Sequence, residues 1–169
     1  KRHANATPVT GGIALFLTFS ALIVIGLIVI WAVDPAQWQG WLAPIQPHVE
    51  GIRSQTWTAL AMLAGAFILH VIGLVDDIRP MSPGVKLYVQ LFVAGVCTVA
   101  FDMRVLQFMD QWGPAGLVAS TIISVLWIIT IVNAINFLDN MDGLSAGVSA
   151  IIAAIYLAAT LINEQWFVA

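Results

Sequence analysis

The chain has 169 residues, 60% of them hydrophobic and only 9% charged; a soluble domain carries about 25% charged residues, so this is an integral membrane protein. Its net charge of −3 is spread over few groups and excludes nucleic acid as a partner, which demands a basic face. Cys97 is the one cysteine and lies in an apolar run, which excludes a disulfide framework and a cysteine-based zinc site and reads as a buried, inert thiol.

A bilayer core takes roughly 20 apolar residues per helix. The sequence therefore predicts an all-α, polytopic membrane domain over residues 1–169 with about five spans. Ahead of the first span stands Thr7-Pro-Val-Thr10-Gly11-Gly12, whose paired glycines let a backbone approach a ligand or another helix. Ile13–Val33 is the first span and Trp57–Val75 the second, with His70 inside it as a hydrogen-bonded packing histidine. Gly84–Phe101 is the third and weakest, long enough only if Lys86 snorkels at its mouth. Ala115–Val132 is the fourth. Gly143–Ile162 is the fifth, rich in small residues that suit close helix contact. Opening on Lys1 rather than Met and closing at Ala169 after an apolar run, the sequence is expected to be an internal piece of a longer protein.

Alternation of the spans puts 1–10, 76–83 and 133–142 on one face, and 34–56 and 102–114 on the other. Lys1, Arg2, Arg79 and Lys86 on the first face outnumber Arg53 and Arg104 on the second, which predicts that the first face is cytoplasmic. Trp38, Trp41, Trp57, Trp112 and Trp166 fall on or near the opposite side, as interfacial anchors would.

Two acidic clusters share the first face. Asp76-Asp77 closes the second span, and two ionised carboxylates about 4 Å apart repel by roughly 4 kcal/mol at an effective dielectric near 20. One is protonated, or positive charge from Arg79, Lys86 or a divalent metal stands beside them. In Asn133-Ala-Ile-Asn136-Phe-Leu-Asp139-Asn-Met-Asp142-Gly143 polar side chains recur every third residue, a spacing that keeps successive members within reach on a helix. Acids at a membrane edge point to function. Oxygen ligands without Cys/His spacing suit Mg²⁺, which keeps waters and shares substrate phosphates, and Lys86 then reads as a point charge facing phosphate.

Taken together and in this order, these residues resemble the polyprenyl-phosphate N-acetylhexosamine-1-phosphate transferases (glycosyltransferase family 4). That family starts O-antigen, enterobacterial common antigen and teichoic acid linkage units, and it includes the phospho-N-acetylmuramoyl-pentapeptide transferase. Arg2-His3, Pro8 and Gly11-Gly12 resemble the first cytoplasmic loop of the GlcNAc-using branch. Gly73-Leu-Val-Asp76-Asp77, followed by Lys86, Leu87 and Gln90, resembles the Asp-Asp loop. The series from Asn133 to Leu144 resembles the Asn-x-x-Asn-x-x-Asp-Gly-x-Asp-Gly-Leu signature, with Asn140 where Gly is usual. Asn tolerates left-handed backbone best after Gly, so the loop is expected to persist.

The resemblance implies a bacterial inner-membrane enzyme of roughly ten helices, of which this chain is about the middle half. It implies transfer of an N-acetylhexosamine 1-phosphate, GlcNAc first, from a UDP-N-acetylhexosamine to polyprenyl phosphate with release of UMP on the cytoplasmic side. Asn136 would bind Mg²⁺, with Mn²⁺ as a substitute, and Asp139 would organise the metal shell. Asp76 and Asp77 would position or deprotonate the lipid phosphate, and Lys86 would neutralise the pyrophosphate. Asp142 would bind the uracil edge, and Asn133, Thr10, Gly11 and Gly12 would line the substrate. A homodimer is compatible with it. The family's later metal-binding Asp, in a Gly-Asp-x-Gly-Ser segment, falls after Ala169, so the 169-residue piece alone is expected to be inactive. The runner-up donor is the muramoyl-pentapeptide nucleotide. Aromatic prenyltransferases space their acids by four rather than three, and transport sites lie near the midplane rather than at one face.

Overall fold

A computed structural model of the protein describes residues 10–37, 39–139 and 143–163. Arg2, His3, Pro8, Asn140 and Asp142 lie outside the described residues, as do Lys1, Trp38 and Trp166. Six α-helices follow in order: α1 (Thr10–Ala32), α2 (Val49–Ser54), α3 (Thr56–Ile78), α4 (Pro83–Ala100), α5 (Pro114–Leu138) and α6 (Leu144–Ile162). All but the short α2 are long and apolar enough to cross a membrane, and the described residues contain no strand. The protein is thus all-α and polytopic. Helices α1, α3, α4, α5 and α6 lie side by side in chain order, each packed on the next.

Local sequence sets the helix ends. Pro83 and Pro114 stand in the first turns of α4 and α5, where a missing N–H costs nothing. Gly143, at φ 74°, takes the left-handed backbone that leads into α6. The fourth span runs further than the hydropathy limit at Val132, because 133–138 contains neither Gly nor Pro and stays helical to Leu138. Asn133 and Asn136 therefore project from a helix rather than from a connector. Asn133 Nδ2 donates to the Ile129 carbonyl at 2.8 Å and to Gln90 Oε1 on α4 at 2.8 Å.

Small side chains fill the seams between the middle helices. Gly65 of α3 is buried where an added Cβ would come within 3.0 Å of Val93 on α4. Val93, Ala94 and Thr98 of α4 are likewise buried, while Gly116, Ser120 and Ser124 of α5 are buried beneath the connector that precedes it, at Met109, Arg104 and Val105. Small residues let backbones approach closely, which is how helices associate where no hydrophobic effect drives them together. The outward faces carry Leu, Ile, Val and Phe side chains in the open, as a surface solvated by lipid tails requires.

The face opposite the acidic clusters is tied down by two arginines. Arg53 donates from Nε and Nη2 to the Ile30 carbonyl at 3.0 and 2.9 Å, satisfying an orphan acceptor at the end of α1. Its guanidinium also lies 5.3 Å from the Trp31 ring centroid. Arg104, 6% exposed, bridges Asp102 at 2.6 Å and Asp110 at 2.8 Å and donates to Ser120 Oγ at 2.6 Å. Around it Asp102 and Leu106 hold left-handed backbone at φ 54° and 58°, a conformation costly for residues other than Gly.

Hydrogen bonds from Arg104 hold the Asp110 carboxyl below its ordinary 3.8, against the opposing push of burial. A folded value below the unfolded one stabilises the fold fully above pH 3.8 and loses that contribution as pH falls through the depressed value. We therefore expect Asp110→Asn to unfold at a lower temperature than wild type near neutrality. The gap should close below pH 3.8, as followed by thermal unfolding in detergent across pH.

Candidate active site

Asp76 and Asp77 end α3, and adjacent residues on a helix point about 100° apart. The pair accordingly splits between two neighbours. Asp76 turns toward α4, where its Oδ2 pairs with Lys86 Nζ and its Oδ1 accepts the Met81 N–H at 2.7 Å. The positive charge that the adjacent carboxylates demand is thus Lys86, and it serves one of them. The pair is half-buried, with Asp76 24% and Lys86 38% exposed. Asp77 turns toward α1, and no described residue donates a hydrogen bond to its carboxylate.

Two clefts open at this face. The first, about 420 Å³, lies between α1 and α3 and is lined by Gly11, Gly12, His70, Gly73, Asp77 and Asp139, with Leu15 and Leu74 closing it. The second, about 410 Å³, lies between α4 and α5 and is lined by Lys86, Gln90, Asn133 and Asn136, with Pro83 and Leu87. Residues from the start of α1, the end of α3, the start of α4 and the end of α5 thus meet at one face, as alternation of the spans requires.

The structure divides the sequence-predicted residues. Gly11, Gly12, Asp77 and Asp139 line the first cleft; Lys86, Asn133 and Asn136 line the second; Asp76 holds Lys86. Asn136 and Asp139, one helical step of three apart, point about 60° away from each other and line different clefts. Thr10 begins α1, and Asp142 lies outside the described residues. Gln90 gains a contact that the motif alone does not supply, an amide pair with Asn133 in which Gln90 Nε2 also donates to Asn133 Oδ1 at 3.4 Å.

His70, expected to be a hydrogen-bonded packing residue, packs, but its ring makes no hydrogen bond to a described residue. Its ring stacks on Phe16 with centroids 4.8 Å apart and planes at 7°. It also faces the first cleft. The signal for this was present: His70, Gly73 and Asp77 follow i, i+3, i+7, which is one face of a helix.

The donor chemistry bears on a metal. Among the described residues no three His, Cys, Asp or Glu side chains gather into a group able to hold an ion. The available oxygen donors are divided, the Asp77 and Asp139 carboxylates in the first cleft and the Asn133 and Asn136 amides in the second. They fit a hard cation that retains waters and takes one or two protein ligands.

With this geometry in view, the chain can be compared with known proteins. The model of glycosyl transferase family 4 matches residues 59–169. A "Probable undecaprenyl-phosphate N-acetylglucosaminyl 1-phosphate transferase" of Bacillus subtilis is 38% identical over 104 residues, covering 60% of this chain and 28% of that protein. A "Decaprenyl-phosphate N-acetylglucosaminephosphotransferase" of Mycobacterium tuberculosis is 28% identical over 155 residues, 89% of this chain and 34% of its own length. A "Phospho-N-acetylmuramoyl-pentapeptide-transferase" of Limosilactobacillus reuteri is 30% identical over 171 residues, 95% of this chain and 46% of its own length. The chain therefore spans less than half the length of each of these three relatives. No solved structure matches. The family match takes in the Asp76–Lys86 pair, both clefts' contributions from α3, α4 and α5, and well over half of the sequence; the chain belongs to glycosyl transferase family 4.

Proposed function

We propose that this chain carries part of the active site of an enzyme that transfers N-acetylglucosamine 1-phosphate from UDP-GlcNAc to polyprenyl phosphate, releasing UMP at the cytoplasmic face of a bacterial inner membrane. The observation that carries the reading is Lys86, held by Asp76 and lining one cleft, with Asp77 and Asp139 lining the neighbouring cleft at the same end of the helices. The Bacillus and Mycobacterium relatives are named for N-acetylglucosamine transfer to polyprenyl phosphate, which supports the choice of sugar and acceptor.

In the reaction an oxygen of the lipid phosphate bonds to the sugar-bearing phosphorus. The bond from that phosphorus to the bridging oxygen breaks, and UMP leaves with the electron pair. Lys86 has three donors. One is spent on Asp76, and the remaining two face the cleft and offset phosphate charge there. Asp77, to which no described residue donates a hydrogen bond, receives any proton the lipid phosphate carries. Asn136 would hold a Mg²⁺ or Mn²⁺ ion from the α4/α5 cleft, and Asp139, which lines the α1/α3 cleft, would reach its shell only through water. When bound, that ion supplies further neutralisation of the two phosphates, which otherwise repel.

The test is UMP release by the native gene product in membrane vesicles. We expect release with UDP-GlcNAc only when polyprenyl phosphate and Mg²⁺ are both present, and its loss on chelation with EDTA. The Limosilactobacillus relative favours a second donor, so UDP-N-acetylmuramoyl-pentapeptide belongs in the same panel. Turnover of that substrate alone would replace the sugar assignment. Ion flux without UMP release would overturn the enzyme reading.

A further inference from the structure

The fold uses the two asparagines of the motif differently. Asn133 has two amide hydrogens, and both have protein acceptors at 2.8 Å, the Ile129 carbonyl one turn back on α5 and Gln90 Oε1 on α4. Its Oδ1 in turn accepts from Gln90 Nε2 at 3.4 Å. Asn133 therefore has no donor left for a ligand. Asn136, one helical step of three further on, lines the same cleft, and its amide makes no hydrogen bond to a described residue. One asparagine is held and the other is open.

The held one ties two helices together. Among the described residues, the reciprocal Gln90–Asn133 bonds are the only side-chain hydrogen bonds that join α4 to α5. Gln90 lies about 10 Å along α4 from its first residue, Pro83, and Asn133 about 8 Å along α5 from its last, Leu138. A reciprocal polar pair between helices fixes their register, because sliding or separation leaves both amides without their partners.

What this register fixes is the relation of Lys86 to Asn136. Lys86 stands one turn before Gln90 on α4, and Asn136 just under one turn beyond Asn133 on α5. Asp76 restrains the Lys86 side chain from the α3 side. Across the cleft, no hydrogen bond among the described residues links Lys86 to Asn136. The separation of the ammonium from the open amide is thus set by the helices that carry them, and the amide pair pins those helices one turn deeper.

We propose that Gln90 and Asn133 are a positioning pair, whose reciprocal amide bonds hold Lys86 on α4 and Asn136 on α5 at the separation that the reacting phosphates need. Asn133, which the family resemblance implies for the substrate, then acts through its neighbours and touches no substrate itself. This assignment rests on the transferase reading above.

Length compensation tests it. Gln90→Asn draws one amide back by a methylene and Asn133→Gln pushes the other forward, whereas the exchanged pair, carrying both changes, keeps the total reach. In the native gene product in membrane vesicles, each single change is expected to lower kcat for UMP release about tenfold, less than the roughly hundredfold that a misplacement of about 1 Å can cost. The KM values for UDP-GlcNAc and polyprenyl phosphate should stay within about twofold. The exchanged pair should return to within about threefold of the wild-type kcat. In the Lys86→Gln background each single change should cost less than about threefold, because the ammonium that it displaces is gone.

An amide pair that only supports the fold lowers the amount of active enzyme equally in either background, so full multiplication of the losses overturns the proposal. An exchanged pair no faster than the single variants overturns it too, as does a rise in either KM with kcat unchanged, which would return Asn133 to the substrate. Thermal unfolding in detergent reads the pair without turnover. The single variants should unfold earlier than wild type and the exchanged pair should recover; single variants as stable as wild type would show that the pair does not restrain the helices. Wild-type protein that releases no UMP from any UDP-sugar removes the transferase reading and the positioning role together. Wild-type turnover with unmoved single variants removes the positioning role alone.

Discussion

Lys86→Gln is expected to lower kcat/KM for UMP release by about a hundred- to a thousandfold, the usual effect of removing one preorganised donor from developing charge. Asp76→Asn is expected to lower it in the same direction, and the double variant to be no slower than Lys86→Gln alone. The reason lies in the geometry. Asp76 Oδ2 meets Lys86 Nζ while Oδ1 accepts the Met81 N–H that closes the α3–α4 turn. Asn at 76 keeps an oxygen for Met81 and loses the charge that holds the ammonium, so its effect passes through Lys86. Asp76 is then a positioning residue, and a cycle of the two substitutions shows full coupling. Asp77→Asn should behave differently. Its carboxylate lines the other cleft and pairs with no described residue, so its loss should multiply with that of Lys86→Gln. Independent, multiplicative effects of Asp76→Asn and Lys86→Gln would show that Asp76 acts on substrate directly.

The separate roles of the two adjacent acids are also where sequence and structure compare most usefully. The motif presents Asp76 and Asp77 as one unit, yet the 100° step of a helix already divides them. The same step divides Asn136 from Asp139, which share a motif and line different clefts. The spans themselves were legible because a bilayer imposes one long apolar run per crossing. The end of α5 was not, because polarity at 133–138 looks like a connector while its helical bonding continues. Least legible was the face opposite the site. Arg53 and Arg104 entered the sequence reading only as charges in a sidedness count. Their partners, the Ile30 carbonyl and the side chains of Asp102, Asp110 and Ser120, follow no period, since they are chosen by how the connectors fold back onto the helix ends.

Gly116→Ala tests that opposite face, and it should be among the most destabilising single-methyl changes in the protein. A Cβ at 116 would lie 1.8 Å from the Met109 carbonyl oxygen and 2.7 Å from its carbon. The obstacle is backbone of the 3₁₀ turn Gln107–Trp112, which crosses the first turn of α5 at this glycine. A flexible side chain could swing away from an extra methyl, but a peptide unit moves only with its turn. That turn carries Asp110, and through it the Arg104 cluster. The Val105 N–H that donates to Ser124 Oγ at 2.8 Å lies directly before it. We expect a loss of about 3 kcal/mol, the upper part of the range for overpacked sites. Gly95→Ala is the control: its Cβ meets nothing within 4 Å, and a helix interior gains about 0.5–1 kcal/mol from the same exchange. Thermal unfolding in detergent, followed by loss of the helical circular dichroism signal, reads both variants in one assay. Gly116 stands at the end of α5 far from Asp139, so whatever fraction of the variant remains folded should keep the wild-type KM for donor and acceptor. A variant as stable as wild type would mean that the turn yields without cost, and that the Arg104 cluster does not fix it against α5.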